Sequence, residues 1–178
     1  MKNSRRPRGS PELIQERTIA IDSGKSGGIA YRHTDGSVHA VPMSDIVAGL
    51  DRLLRVLVCP ESVRFIEDLP MYRGKMNLRS AAVLFRNFEQ IEDRLASLKC
   101  RVGYLKPDWW QKQLRLGKSA DYGDRWKAHL KGRAQALFLR VAVALKTADS
   151  LLILEAGSMT NKRAEPMAVS YTHLRAHE

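Results

Sequence analysis

The chain is poor in cysteine and in negative charge, and it has no long apolar run. Cys59 and Cys100 are its two thiols, set in Val-Leu-Val-Cys59 and Leu-Lys-Cys100-Arg-Val. Such apolar surroundings suit buried thiols of a cytosolic chain better than a disulfide framework or a zinc site. No stretch reaches the roughly eighteen apolar residues that a membrane helix needs. The first seventeen residues are basic and polar, without the apolar segment of a secretory signal. No internal repeat is present. Asp and Glu number 19 against 30 Lys and Arg, a formal net charge of +11. An excess of that size seeks counter-charge, and nucleic acid is the usual source, because each neutralised phosphate releases condensed counterions. An anionic membrane surface would call for one basic amphipathic helix with an apolar face. Here the positive charge is instead spread over several segments and mixed with aromatics, which favours nucleic acid.

With 178 residues, 44% of them hydrophobic, the chain can bury the core of one ordinary domain. Residues 1–16, with Arg5, Arg6, Arg8 and two prolines, have little to bury and are expected to form a flexible basic arm. The ordered domain is expected over 17–157. From Ser158 a tail is expected, with Asn161, Lys162 and Arg163 read as a loop. Residues 169–178 read as translated sequencing-adapter read-through, so the natural C-terminus is expected to be missing. They are left out of the functional reading, His173 and His177 included.

Within the domain, Thr18-Ile19-Ala20-Ile21 is a short apolar run that ends in Asp22. A Gly-rich turn, a strand over 29–32, the hairpin signal Asp35-Gly36 and a strand over 38–41 make a three-strand meander. Ser44 is placed to cap a helix whose apolar residues recur through Leu50, Leu53, Leu54 and Leu57. A fourth strand over 63–66 delivers Glu67 at its end. A long helix over 78–98 carries the stripe Ala81, Leu84, Phe85, Phe88, Ile91, Leu95 and Leu98. A fifth strand over 101–105 is stopped by Pro107. Helices follow near 108–114, 124–139 and 146–156. The first three strands pair through hairpins, and the last two need helical crossovers and so run parallel to the first. The expected class is α/β, a five-stranded mixed sheet of an antiparallel meander plus two parallel strands, flanked by helices.

That topology gathers three carboxylates. Asp22 ends the first strand, Glu67 ends its parallel neighbour about 4.8 Å away, and Asp149 falls in the first turn of the last helix. Glu67 is chosen over the adjacent Asp68 because it shares a strand face with Phe65. Each pair of acids at 4 Å repels by about 4 kcal/mol at an effective dielectric of 20, so a fold retains such a cluster where a cation offsets it. Hard carboxylate oxygens together with substrate phosphate select magnesium or manganese. Two such ions about 4 Å apart can activate water and stabilise the leaving 3′ oxygen in phosphodiester hydrolysis.

Ile19-Ala20-Ile21-Asp22-Ser23-Gly24, Phe65-Ile66-Glu67 with Asn77, Ser80 and Leu84, and Thr147-Ala148-Asp149-Ser150-Leu151-Leu152 resemble, in order, motifs of the RuvC-type Holliday junction resolvases. These belong to the ribonuclease H-like superfamily, and the likeness is greatest to the phage-like branch. The resemblance spans about residues 18–157. It implies a magnesium-dependent, structure-selective endodeoxyribonuclease that acts as a homodimer on four-way or other branched DNA in the cytoplasm of a bacterium or phage-infected host. It also implies that Asp22 is shared by two Mg2+ ions (Mn2+ being a possible substitute), with Glu67 on one and Asp149 on the other. One face of the long helix would meet the partner subunit. Where the family commonly has a fourth acid, three residues before Asp149, this chain has Lys146. On a helix the two would share a face, and Lys146 would orient the water, contact the scissile phosphate, or leave metal binding weaker.

Plainer readings stand beside these. Asp22 before Ser-Gly is ordinary turn chemistry, and Asp149 can serve a helix dipole, although an acid in an otherwise apolar helix is costly. Trp109, Trp110, Tyr122 and Trp126 lie among Lys112, Lys118, Arg125, Lys127 and Lys131. They are either core rings between solvated lysines or a groove that stacks bases and holds phosphates. Of the adjacent Trp109 and Trp110, one is expected buried and the other exposed or at an interface. Arg73, Lys75 and Arg79 flank the acids in sequence and are expected to contact phosphate. Gly24-Lys25-Ser26-Gly27-Gly28 precedes a strand and lacks phosphate-loop spacing, so no nucleotide cofactor is expected. The competing functions are a ribonuclease H or transposase-like nuclease, a non-catalytic nucleic-acid-binding protein that keeps the fold, and an actin-like phosphotransferase, for which the chain is too short.

Overall fold

A computed structural model of the chain describes residues 18–24, 27–43, 47–57, 63–68, 78–99 and 102–162. The expected basic arm, Ser44, Arg73, Lys75 and the chain beyond Lys162 lie outside these residues. Strands β1 (Thr18–Ile21), β2 (Gly28–Arg32) and β3 (Val38–Pro42) form the meander, followed by α1 (Val47–Leu57), β4 (Val63–Glu67), α2 (Leu78–Ser97) and β5 (Gly103–Leu105). The sheet has five strands in the order β3-β2-β1-β4-β5. β1–β2 and β2–β3 are antiparallel, while β1–β4 and β4–β5 are parallel. The five-stranded mixed sheet expected from sequence, an antiparallel meander plus two parallel strands, is therefore present. Among the described residues no helix is long and apolar enough to cross a membrane.

Alternation along the strands divides the core in two. Ile19, Ile21, Ile29 and Ile66 face one side, where they pack with Leu50, Leu54 and Leu57 of α1 and Ile91 and Leu95 of α2. Ala20, Ala30, Phe65 and Leu105 face the other. On that second side lie α3 (Pro107–Gln113), α4 (Ser119–Tyr122), a 3₁₀ turn over Gly123–Arg125, α5 (Trp126–Leu137) and α6 (Ala148–Lys162). Leu151, Leu152, Ile153, Leu154 and Ala156 of α6 are all fully buried, as suits a helix that is apolar around its circumference. α6 rests on β1, β2 and β4, and α3 and α5 pack against it.

Two glycines fix how α6 lies. A Cβ on Gly157 would stand 2.3 Å from Cδ2 of Phe65, and one on Gly28 would stand 2.7 Å from the carbonyl oxygen of Lys146. Only a bare Cα lets the helix meet the Phe65 ring and lets the segment ahead of the helix meet β2. Arg32 at the far end of β2 donates to Glu155 (2.6 Å) and to Ser158 Oγ (3.0 Å), which anchors the middle of the helix to the same strand.

Several boundaries differ from the sequence reading. β5 begins at Gly103, not at residue 101, and Pro107 opens α3 instead of merely ending the strand, because proline fits the first helical turn, where its missing N–H goes unused. The helix expected over 124–139 is α5, Trp126–Leu137, and it is preceded by a short α4 and a 3₁₀ turn with Gly123 at φ +52° that the sequence reading does not give. α6 starts later and ends later than expected, at Ala148 and Lys162, so Ser158, Asn161 and Lys162 are helical, not the start of a loop. Phe85, placed in the apolar stripe of α2, is 41% exposed, while Ala81, Ile91 and Leu95 are buried.

Candidate acid site on the sheet edge

β1 and β4 pair in parallel, Ala20 beside Phe65 and Ile21 beside Ile66. The next residue on each strand, Asp22 and Glu67, follows Ala20 and Phe65 on the α6 side by the two-residue period. The strand end at Asp22 is held firmly. Its N–H donates to the Gly28 carbonyl (3.0 Å), and its Oδ1 accepts from the Gly24 N–H (2.9 Å). A Cβ on Gly27 would fall 2.0 Å from the Asp22 carbonyl oxygen. Gly24 and Gly27 thus close tightly on Asp22 and hold it in place.

Asp149 arrives from above. Thr147 accepts the backbone N–H of Leu151, and its hydroxyl and that of Ser150 bond into the same turn, so the first turn of α6 is fixed just past Gly28. Asp22 and Asp149 are each only 7% exposed. Glu67 receives the indole N–H of Trp110 at 3.1 Å, on Oε1. Asp149 Oδ2 accepts Lys127 Nζ at 2.5 Å, and its Oδ1 is buried with no hydrogen-bond partner.

The electrostatics tie the four groups together. Burial, then the negative charge of Asp149, raises the pKa of Asp22, against the Gly24 N–H and Lys127. Burial, then the charges of Asp22 and Asp149, pushes Glu67 up to about 8, with Trp110 and Lys127 opposing. For Lys127, burial works against its charge, but Asp149 first and then Asp22 and Glu67 outweigh it, and its pKa is raised. Three acids from β1, β4 and α6 thus share one field, and a lysine from α5 sits in it. Among the described residues, no group of three or more His, Cys, Asp or Glu side chains is arranged so that it can hold a metal ion. What does suit a cation is the chemistry: hard oxygen donors, repulsion that raises two of the three pKa values, and an orphaned buried oxygen on Asp149.

The other predicted residues divide. Lys146 lies in the turn ahead of α6, exposed, and not on a helical face with Asp149, because the turn runs through Thr147 and the helix begins at Ala148. The lysine that meets the acids is Lys127, which the sequence reading had counted among the phosphate contacts. Lys112, Lys118, Arg125 and Lys131 are exposed, and Lys131 shares the Lys127 face of α5 one turn on. Arg79 is in α2. Trp110 is buried, 1% exposed, and Trp109 is partly buried against the same core, so neither is a free stacking ring. Tyr122 and Trp126 pack with His129, whose ring lies 3.9 Å from that of Tyr122. The partners missed by sequence reading are Trp110 for Glu67 and Lys127 for Asp149.

No protein-family model and no curated protein matches the sequence. The fold does match solved structures. Thermus thermophilus RuvC in complex with a Holliday junction substrate superposes with a TM-score of 0.56 at 12% identity, covering 83% of this chain and 96% of that one. A second Thermus thermophilus RuvC structure gives 0.54 at 14% identity, covering 82% and 95%. The chain therefore has the RuvC-type, ribonuclease H-like fold.

Proposed function

We propose that the protein is a divalent-cation-dependent, structure-selective endodeoxyribonuclease that cuts four-way or other branched DNA. The observation that carries this reading is the meeting of Asp22, Glu67 and Asp149 in one buried field at the ends of β1, β4 and α6, in a fold like that of a RuvC bound to a Holliday junction. Asp22 and Glu67 would hold Mg2+ or Mn2+ together with the unpartnered oxygen of Asp149. A bound divalent ion supplies charge stabilisation at the scissile phosphate and a water of lowered pKa. The Gly24 N–H and the Trp110 indole fix the carboxylates, and burial keeps competing water away from them. Lys112, Lys118, Arg125 and Lys131 offer exposed charge to the phosphate backbone, and Arg73, Lys75 and Arg79 join them by their place in the sequence. A homodimer would cut two strands symmetrically, with exposed Phe85 of α2 a candidate contact. A cytoplasmic setting accompanies this reading.

The test is cleavage of a synthetic four-way junction with Mg2+, beside linear duplex and an RNA–DNA hybrid. Junction cleavage that D22N abolishes while binding persists supports the proposal. Preferred cleavage of the hybrid points to a ribonuclease H. Tight, salt-sensitive binding with no cleavage of any substrate points to a non-catalytic binding protein, a reading that the Lys127–Asp149 ion pair also favours.

A further inference from the structure

We propose that the connection between α5 and α6, residues 138–147, is a DNA-contacting element whose exposed Leu139 and Leu145 pack on bases that a branch point leaves unstacked. The proposal rests on the reading of the protein as one that acts on branched DNA, and it names a source of selectivity for the branch. Leu139 is 82% exposed and Leu145 55%. Their segment is nevertheless pinned. Phe138 and Val143 are buried in the core shared with α6. The Val141 N–H donates to the Phe138 carbonyl (3.0 Å), and Gln135 Nε2 donates to the Val141 carbonyl (3.2 Å). At the other end, Thr147 Oγ1 accepts the Ala144 N–H (3.1 Å), and the Thr147 N–H donates to the Ala144 carbonyl (3.2 Å). A fixed backbone thus holds both leucines outward, so that little order has to be gained on contact.

The surrounding charge selects the partner. From Trp126 to Ala148 the chain carries Lys127, Lys131, Arg133, Arg140 and Lys146 and no Asp or Glu. Arg140 follows Leu139 and Lys146 follows Leu145, and both cations are exposed. A polyanion with apolar faces answers both kinds of side chain: cations take its phosphates, and leucine is among the residues that wedge between unstacked base steps. A second copy of this chain would bring like charges together here. An anionic membrane would be met by an amphipathic helix, and this connection is not one. Position supports the same partner. Gly28, whose carbonyl holds the Asp22 N–H (3.0 Å), lies so near the connection that a Cβ on it would stand 2.7 Å from the Lys146 carbonyl oxygen. Leu145 is therefore one residue from backbone that lies against the acid site. In a linear duplex the bases cover one another's faces and leave these leucines nothing to pack on, whereas a branch point interrupts the stack.

The test uses the full chain in EDTA and a synthetic four-way junction with 2-aminopurine beside the branch point, whose fluorescence rises when the base unstacks. Wild-type protein should raise that signal. L139S/L145S should lose most of the rise and bind the junction about tenfold more weakly, the equivalent of about 1.4 kcal/mol, while its affinity for linear duplex changes by no more than about twofold because the phosphate contacts remain. R140Q should weaken junction and duplex alike, which separates phosphate contact from base contact. Both leucines are exposed, so the double variant is expected to fold, and an unchanged circular dichroism melt checks this. A double variant that keeps the fluorescence rise and the junction affinity overturns the proposal and leaves the branched-DNA reading intact. So does one whose only change is lost self-association in sedimentation, or lost binding to phosphatidylglycerol vesicles, since the leucines would then serve a second copy or a membrane. A wild type that shows no preference for the junction over linear duplex overturns the branched-DNA reading, and the proposal with it.

Discussion

Trp110 donates its indole N–H to Oε1 of Glu67 across 3.1 Å, from the first helix after β5 to the end of the strand beside it. β4 and β5 pair Glu67 with Leu105, and the backbone N–H of Trp110 returns to the Lys106 carbonyl. The ring is therefore placed by the same strand that flanks the acid. It is 1% exposed and cannot swing away without opening the core.

The first prediction follows. W110F keeps an apolar ring and removes the donor. A hydrogen bond to a buried carboxylate contributes about 1–3 kcal/mol, and urea denaturation should show a loss of that size. Junction cleavage should fall by about tenfold, the equivalent of about 1.4 kcal/mol in the barrier, and the Mg2+ requirement should rise as Glu67 loses its orientation. Unchanged metal dependence would show that the indole only packs.

A second prediction concerns Gly157, which lies on the face of α6 that meets Phe65. A methyl group there would stand 2.3 Å from the ring, and overpacking of this kind costs about 1–3 kcal/mol. G157A should lower stability by at least that amount, although alanine is the better helix former at an open site. F65L should recover part of the loss, and a double-mutant cycle by urea denaturation reads the coupling. Simple additivity would mean that the two residues do not meet.

The three acids were legible because local rules place them. Asp22 and Glu67 end short apolar runs, and the two-residue period assigns them to the face of Ala20 and Phe65, which the structure shows to be the face covered by α6. Asp149 stood out as an acid in an apolar helix. Lys127 was not legible as an ion-pair partner, because it is one of many lysines in a basic stretch. What singles it out is the docking of α5, whose Leu130 and Ala134 are buried in the core shared with α6, a relationship across chain-distant helices that no local pattern states. The sequence pattern extends the last helix back over Lys146, because the apolar run continues through Ala148. The Thr147 turn, with Thr147 Oγ1 accepting the Ala144 N–H at 3.1 Å, starts the helix after it. Trp110 illustrates the same limit: sequence predicted one buried tryptophan of two but held no clue to the carboxylate that would receive its N–H.

A third prediction uses the repulsion itself. D22N keeps an oxygen to accept the Gly24 N–H (2.9 Å) and removes the buried acid that faces the charge of Asp149. In metal-free buffer near neutral pH the variant should be more stable than the wild type, by on the order of 1–4 kcal/mol for a relieved like-charge pair, while Mg2+-dependent cleavage is lost. Such a trade of stability for activity is the usual mark of a functional charge cluster. Thermal melts with and without Mg2+ read it: the ion should raise the wild-type Tm and leave D22N nearly unmoved. A D22N chain that melts lower than the wild type without metal would mean that Asp22 is a structural turn residue.

The last prediction is the pH dependence of stability, which Glu67 dominates. Burial and the neighbouring acids raise its pKa from 4.5 to about 8 in the folded chain, so between those values the native state holds a proton that the unfolded chain has released. Stability changes with pH in proportion to protons bound in the unfolded state less those bound in the native state. That difference is negative here, so metal-free stability should fall as pH rises from about 4.5 and level off above about 8. Asp22, raised for the same reasons, acts in the same direction. Mg2+ should reverse the trend, because it binds the ionised carboxylates and stabilises most where they are least protonated. Urea midpoints at pH 5, 6, 7 and 8, with and without Mg2+, test both halves, and E67Q should flatten the metal-free curve. A metal-free wild type that gains stability over that range would place Glu67 outside the shared field and in contact with water.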